Sequence, residues 1–234
     1  IIMRSPKKEE LNKENSYDLS ISDLMAALCC IFILFLIFVI HRLNEERKEF
    51  GIKNGVATEF RLKQKELYDA IYKEFQDDLV KWEAGIELEK GNILVKFTKD
   101  SMMFEPEKAE LKEGFMVVLD DFFPRLVKIL EDPKYKGDIQ EIRIEGHTAE
   151  NLSQTRKEDY ESGMKLSQER TREVLYYCLG TIPETRDELQ KNIIAIGYSN
   201  SIPAGDDTKT RRVEFSIRTR AENVIESIEK SAKK

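Results

Sequence analysis

Asp23 stands at the mouth of the longest apolar run in the chain. Ser22-Asp23-Leu24-Met25-Ala26-Ala27-Leu28-Cys29-Cys30 is followed by Ile31 to Ile40 without a polar side chain. Partial desolvation there would bring the neutral form of the carboxyl within reach, so the group could take up and release an ion. The alternative is structural. Ser20, Ser22 and Asp23 are all good helix N-caps, and an acid at a helix start also meets the favourable end of the dipole. Leu19 and Ile21 extend the apolar character upstream, and Asp18 can cap instead. That would place Asp23 about 7 Å inside the helix.

Further along, Arg170 offers paired donors that suit a carboxylate. Glu150, Glu158 and Asp159 supply acids upstream of it. His147 has only His41, at the membrane edge, as a second histidine, and no Cys/His spacing suggests a metal site. No Ser-His-Asp arrangement and no glycine-rich phosphate loop is present, so no enzyme is expected.

The elements that must position these residues fall into two unlike parts. With residues 20–23 added, the apolar run reaches roughly 20 residues, about one bilayer crossing. A polar segment, His41-Arg42-Leu43-Asn44-Glu45-Glu46, follows it in place of a small-residue cleavage site, so it reads as an uncleaved anchor. Basic residues flank it on both sides (Arg4, Lys7, Lys8 and Lys13; Arg42, Arg47, Lys48 and Lys53), so charge does not orient it. The rest is highly charged, and the whole chain carries a formal net charge of −6, which argues against a nucleic-acid partner. The adjacent Cys29 and Cys30 are poorly placed to bridge each other, and Cys178 reads as a buried small hydrophobe.

Residues 1–16 are polar and are expected to be mobile. Leu67, Ile71, Phe75, Leu79 and Trp82 form one helical face, either packing on the domain or pairing with a second copy. Gly51 and Gly55 are candidate breaks between that helix and the membrane-proximal part. Ile86–Glu89 and Ile93–Phe97 flank Lys90-Gly91-Asn92, a hairpin signal. A helix is expected over Leu111–Leu126 with a kink or break at Pro124. Strands are expected at Ile142–Ile144, ending at Gly146-His147-Thr148, at Ile193–Ile196 and at Val213–Ile217. Residues 149–163 read as a polar loop, Leu166–Leu179 as a helix and 221–232 as a final helix. The class is α/β (α+β), a mixed sheet covered by helices.

Three segments then carry a resemblance: Ile142-Arg143-Ile144-Glu145-Gly146-His147-Thr148, Leu166-Ser167-Gln168-Glu169-Arg170 and Arg211-Arg212-Val213-Glu214-Phe215. With the spacing of Phe104, Ala109 and Leu111, they resemble the OmpA-like peptidoglycan-binding domain over about residues 86–220. Ser22-Asp23-Leu24-Met25, followed by Leu28, Phe32 and Leu34, resembles the membrane helix of MotB-like stator subunits. In layout the whole is similar to the B subunit of Zorya anti-phage systems. The resemblance implies a leader at 1–18, a transmembrane helix at 19–41, a helical connector at 42–84 and an OmpA-like domain at 85–234.

It also implies a function: an ion-conducting stator subunit of a rotary motor in the bacterial inner membrane, with the N-terminus cytoplasmic and the domain periplasmic. Asp23 would carry the transported H+ or Na+, with no bound cofactor. The partners implied are a MotA-like multi-span ring, a second copy of the chain and peptidoglycan. Wall-binding residues implied are Arg170, Glu150, His147, Leu166 and Tyr160. Two positions depart from the pattern: Ala149 stands where the family has an Asp, and Gly163 where an Asn is frequent. The short run from the helix at 56–83 into the domain favours a defence motor over a flagellar one. A passive wall tether is the remaining alternative.

Overall fold

The computed structural model describes residues 7–89, 91–150, 155–202 and 210–220; side chains are described from Leu24 onward, except at 46, 49–54 and 100. The expected helix at 221–232 lies outside these residues. The chain divides into two compact units, Ile1–Gly55 and Val56–Lys234.

Helix α1 spans Lys7–Trp82. It takes in the polar leader from Lys7 on, a stretch whose composition suggested mobility. It also runs through Gly51 and Gly55, the expected breaks. Each glycine costs a helix only about 1 kcal/mol relative to alanine, too little to end one by itself. In the first unit, Leu24–Glu45 is long and apolar enough to cross a membrane, with mean hydropathy 3.0 and none of it buried. Large side chains such as Leu24, Phe32, Phe35 and Ile37 are exposed, a distribution that suits lipid and not water.

In the second unit, β1 (Ala84–Glu89) and β2 (Asn92–Phe97) form the expected antiparallel hairpin. Helix α2 (Asp100–Met103) and helix α3 (Glu113–Leu130) follow. Strand β3 (Ile139–His147) leads through α4 (Arg156–Thr181) and α5 (Arg186–Leu189) to β4 (Ile193–Gly197), and β5 is Arg212–Thr219. The sheet order is β1-β2-β5-β3-β4. Among the described residues only β3 and β4 pair in parallel, joined by the α4 crossover, so the sheet is mixed.

Alternation along the strands decides the two faces of the sheet. Ile93, Val95, Phe97, Ile142, Ile144, Val213, Phe215 and Ile217 are buried together with helix side chains. From α3 come Phe115, Leu119, Phe122 and Leu126, and from α1 come Leu67, Ile71, Phe75 and Trp82. The α1 stripe therefore packs on the domain's own core. Phe122 is the hub, with ring centroids 5.1 Å from Phe75, 5.2 Å from Phe97 and 5.1 Å from Phe215. Burying one such ring contributes about 1.5–3 kcal/mol. At the edge of this contact Arg125 of α3 ties down α1, donating to Glu74 at 2.8 Å and Asp78 at 3.0 Å. Pro124 lies inside α3 without ending it.

Residues 156–163, expected as loop, are helical. Thr155 and Glu158 form a reciprocal capping box that starts α4 there. Cys178 is fully buried, and burial pushes its thiol pKa up, so it is an inert core residue.

Candidate functional site

Asp23 lies within α1, well downstream of the helix start at Lys7. Its side chain is outside the described residues.

The Leu-Ser-x-x-Arg segment lies on α4, where the helix crosses the ends of β3 and β4. Gly146 and Gly197 are register partners in those strands. A Cβ on Gly146 would lie 2.6 Å from Thr171 Cγ2 and 3.0 Å from the Ser167 carbonyl. One on Gly197 would lie 2.5 Å from the Gln168 amide nitrogen. Two glycines side by side thus let the helix backbone settle on the strand ends. Ser167, fully buried, accepts from the Ser199 amide at 3.1 Å. Ser199 in turn donates from its hydroxyl to the Tyr160 carbonyl at 3.1 Å. A side chain at Gly163 would place its Cβ 2.4 Å from Ser199 Oγ and 2.8 Å from Thr148 Oγ1. Two hydroxyls fill the space that an Asn would need.

Arg170 sits one turn further along, 6% exposed. Its Nε donates to the Lys108 carbonyl at 2.9 Å and Nη2 to the Glu105 carbonyl at 3.3 Å. The guanidinium lies 4.5 Å from the Phe104 ring centroid. Arg170, His147 and Arg212 line one narrow crevice with Phe104, Gly146 and Ser167.

The remaining expected residues lie outside that crevice. Glu150 is exposed, Tyr160 is 45% exposed and Leu166 is half-buried. The other two acids upstream of Arg170 are engaged elsewhere: Glu158 is occupied in the capping box, and hydrogen bonds from Thr155 hold its carboxyl pKa down. Asp159 is 5% exposed and accepts from Asn200 at 2.6 Å.

The other face of the sheet is polar. Glu141, Arg143, Glu145 and His147 on β3 stand opposite Arg218, Ser216, Glu214 and Arg212 on β5. Glu145 and Glu214 are thus directly opposed like charges, an unfavourable pair. Burial, with Glu214 opposite, pushes the Glu145 carboxyl up to about 7. Burial, with Arg212 and Lys96 near, holds the His147 imidazole down at about 3. His147 stacks on Tyr198 at 5.3 Å.

These two shifts act on stability with opposite signs. The folded state binds the Glu145 proton more tightly than the unfolded one. That contribution is complete below the ordinary value of 4.5 and is lost as pH rises through about 7. The folded state resists protonating His147, so that contribution is complete above 6.5 and is lost as pH falls towards about 3. In the overlap the slopes oppose, and the native Tm is expected to be nearly flat. In Glu145→Gln only the histidine slope remains. Its Tm should climb with pH through the overlap and exceed the native value at alkaline pH. Melting curves across this range check it, and a Tm difference independent of pH would contradict it.

The chain is 36% identical over 233 residues to the Zorya protein ZorB of Escherichia coli, an alignment that spans 95% of each chain. This chain belongs to the ZorB family. No protein-family model matches it. Among solved structures, a MotB-like protein from Desulfovibrio vulgaris superposes with a TM-score of 0.50 at 22% identity, covering 70% of this chain and 99% of that one. The cell-wall anchor of a type VI secretion system from Pseudomonas aeruginosa covers 64% of this chain and 97% of its own at 22% identity, with a TM-score of 0.45. The first likeness shows the fold of the second unit, that of a MotB-like domain.

In this member of the ZorB family, sequence reasoning did not single out Glu145, Arg212, Glu214 and Ser199. The alternation Arg143-Glu145-His147 and Arg212-Glu214-Ser216-Arg218 was the available signal, a polar stripe of period two on each strand.

Proposed function

We propose that this chain is the ion-carrying, wall-anchored stator subunit of a rotary motor in the bacterial inner membrane, acting in anti-phage defence. Membership of the ZorB family, with an acid immediately ahead of the one membrane-length apolar segment among the described residues, carries this reading. Two copies would stand within a ring of MotA-like subunits, their N-termini cytoplasmic and their OmpA-like domains periplasmic. Each Asp23 carboxyl would take up and release H+ or Na+, and each event changes local charge and so can switch packing against the ring. The outer domain would hold to peptidoglycan, with Arg170 as the cationic contact.

Arg170 is suited to that role because two backbone carbonyls and an aromatic face fix its guanidinium plane. Ala149 and Gly163 mean that the ligand would be held by a different set of neighbours from the usual one. Among the described residues Thr148 and Ser199 occupy the adjoining positions.

Deletion of the gene in its own host is expected to raise phage plating and leave swimming unchanged. Pull-down of the tagged chain should bring a multi-span membrane subunit with it. A swimming defect with unchanged plating would point to a flagellar stator, and purification of the chain without any multi-span partner would favour a passive tether.

A further inference from the structure

Glu145, His147 and Glu214 each offer one ligand atom to a common point on the open face of the sheet, all within 4.8 Å of one another. His147 is 3% exposed, and neither ring nitrogen has a hydrogen-bond partner. A buried imidazole with both nitrogens unsatisfied is costly and calls for an explanation. Its Nε2 lies 4.0 Å from Glu214 Oε2. The strand register places Glu145 directly across from Glu214 and His147 across from Arg212.

The charges around this point are otherwise matched. Lys96 pairs with Glu87 at 2.6 Å and Glu89 at 3.7 Å. Arg143 and Arg218 both pair with Glu141. Arg212 donates from Nε to Glu214 Oε1, which leaves Oε2 on the side of His147. Glu145 is the carboxylate of this face without an ion pair among the described residues. Two opposed carboxylates and an unsatisfied imidazole therefore meet where a cation would satisfy all three.

We propose that Glu145, His147 and Glu214 form a binding site for a divalent transition-metal ion, of which Zn2+ is the representative. One imidazole nitrogen and two carboxylate oxygens are a donor set that zinc accepts, with water in the fourth position. Zn–N and Zn–O bonds of about 2.0–2.2 Å set tetrahedral ligand atoms about 3.4 Å apart. The ligand atoms must close from within 4.8 Å, a movement that glutamate side chains can make by rotation. Arg212 then acts as a positioning residue that orients Glu214, and the Tyr198 ring fixes the imidazole plane. The site joins β3 to β5 directly behind the crevice that holds Arg170.

The test is calorimetric titration of ZnCl2 into the purified full chain in detergent after chelator treatment. One saturable Zn2+ per chain is expected, together with a rise in Tm that excess Mg2+ does not reproduce. His147→Ala should weaken binding by at least about 10-fold. Because His147 is buried, Glu145→Gln serves as the second variant. It should fold as the native chain does and weaken binding to a similar degree. His41→Ala, at the membrane edge, should bind as the native chain does. No saturable binding, or native affinity in a folded Glu145→Gln variant, would overturn the site. So would loss of binding in His41→Ala.

Discussion

Asp23→Asn is expected to abolish phage protection completely while the chain still reaches the membrane and co-purifies with its multi-span partner. Asparagine has nearly the same shape and can make the same neutral hydrogen bonds as a protonated aspartate. It lacks only the ability to lose a proton or bind a cation. At a membrane helix this is the whole of the proposed mechanism, since an uptake and release cycle needs two charge states in one place. If Asp23 were only a local helix device, Asn would serve nearly as well, because Asn and Asp are comparable caps. The position of Asp23 inside α1, with the helix already begun at Lys7, weakens that structural alternative. Asp23→Glu keeps the charge on a longer arm and is expected to retain part of the activity. Plating efficiency, with membrane abundance and partner pull-down measured in parallel, checks all three. Native protection by Asp23→Asn would remove ion carriage at this residue from the mechanism.

Much of the fold was legible because apolar residues recur at the period of their element. The stripe from Leu67 to Trp82 and the alternation at Ile93, Val95 and Phe97 announced a helix and a strand, and all of these residues but the half-buried Leu79 are buried in the core. The start of α4 was missed for a physical reason. The residues that its first turns present to the strand ends are Asp159, Gly163 and Ser167, none of them a large apolar group. A search for hydrophobic periodicity is blind to such a face, and only the Thr155/Glu158 capping pair marked the helix. Arg170 was legible from its motif, but its carbonyl partners at 105 and 108 were not, since they are distant in sequence. The opposition of Glu145 and Glu214 was hidden more deeply. It exists only because β5 inserts between β2 and β3, a fact of topology that neither strand's sequence carries.

Arg170 should prove to hold the domain together as well as to hold the wall, and two substitutions separate the roles. Arg170→Ala removes donors to the Lys108 and Glu105 carbonyls and the contact over Phe104. Lys108 donates from its own amide to the Glu105 carbonyl, and Glu107 between them has a positive φ of 57°, so the guanidinium fastens a strained turn. Loss of these contacts is expected to destabilise the domain by about 2–3 kcal/mol and to abolish co-sedimentation with peptidoglycan. Arg170→Lys keeps the charge but cannot reach two carbonyls and present a planar fork at once. It should recover part of the stability and little of the wall binding, because paired recognition of a carboxylate needs the fork. Chemical denaturation and sedimentation with purified sacculi, both on the full chain in detergent, give the two readouts. Full wall binding by a folded Arg170→Lys would reduce the requirement to a positive charge, and full binding by Arg170→Ala would move the wall contact away from this crevice.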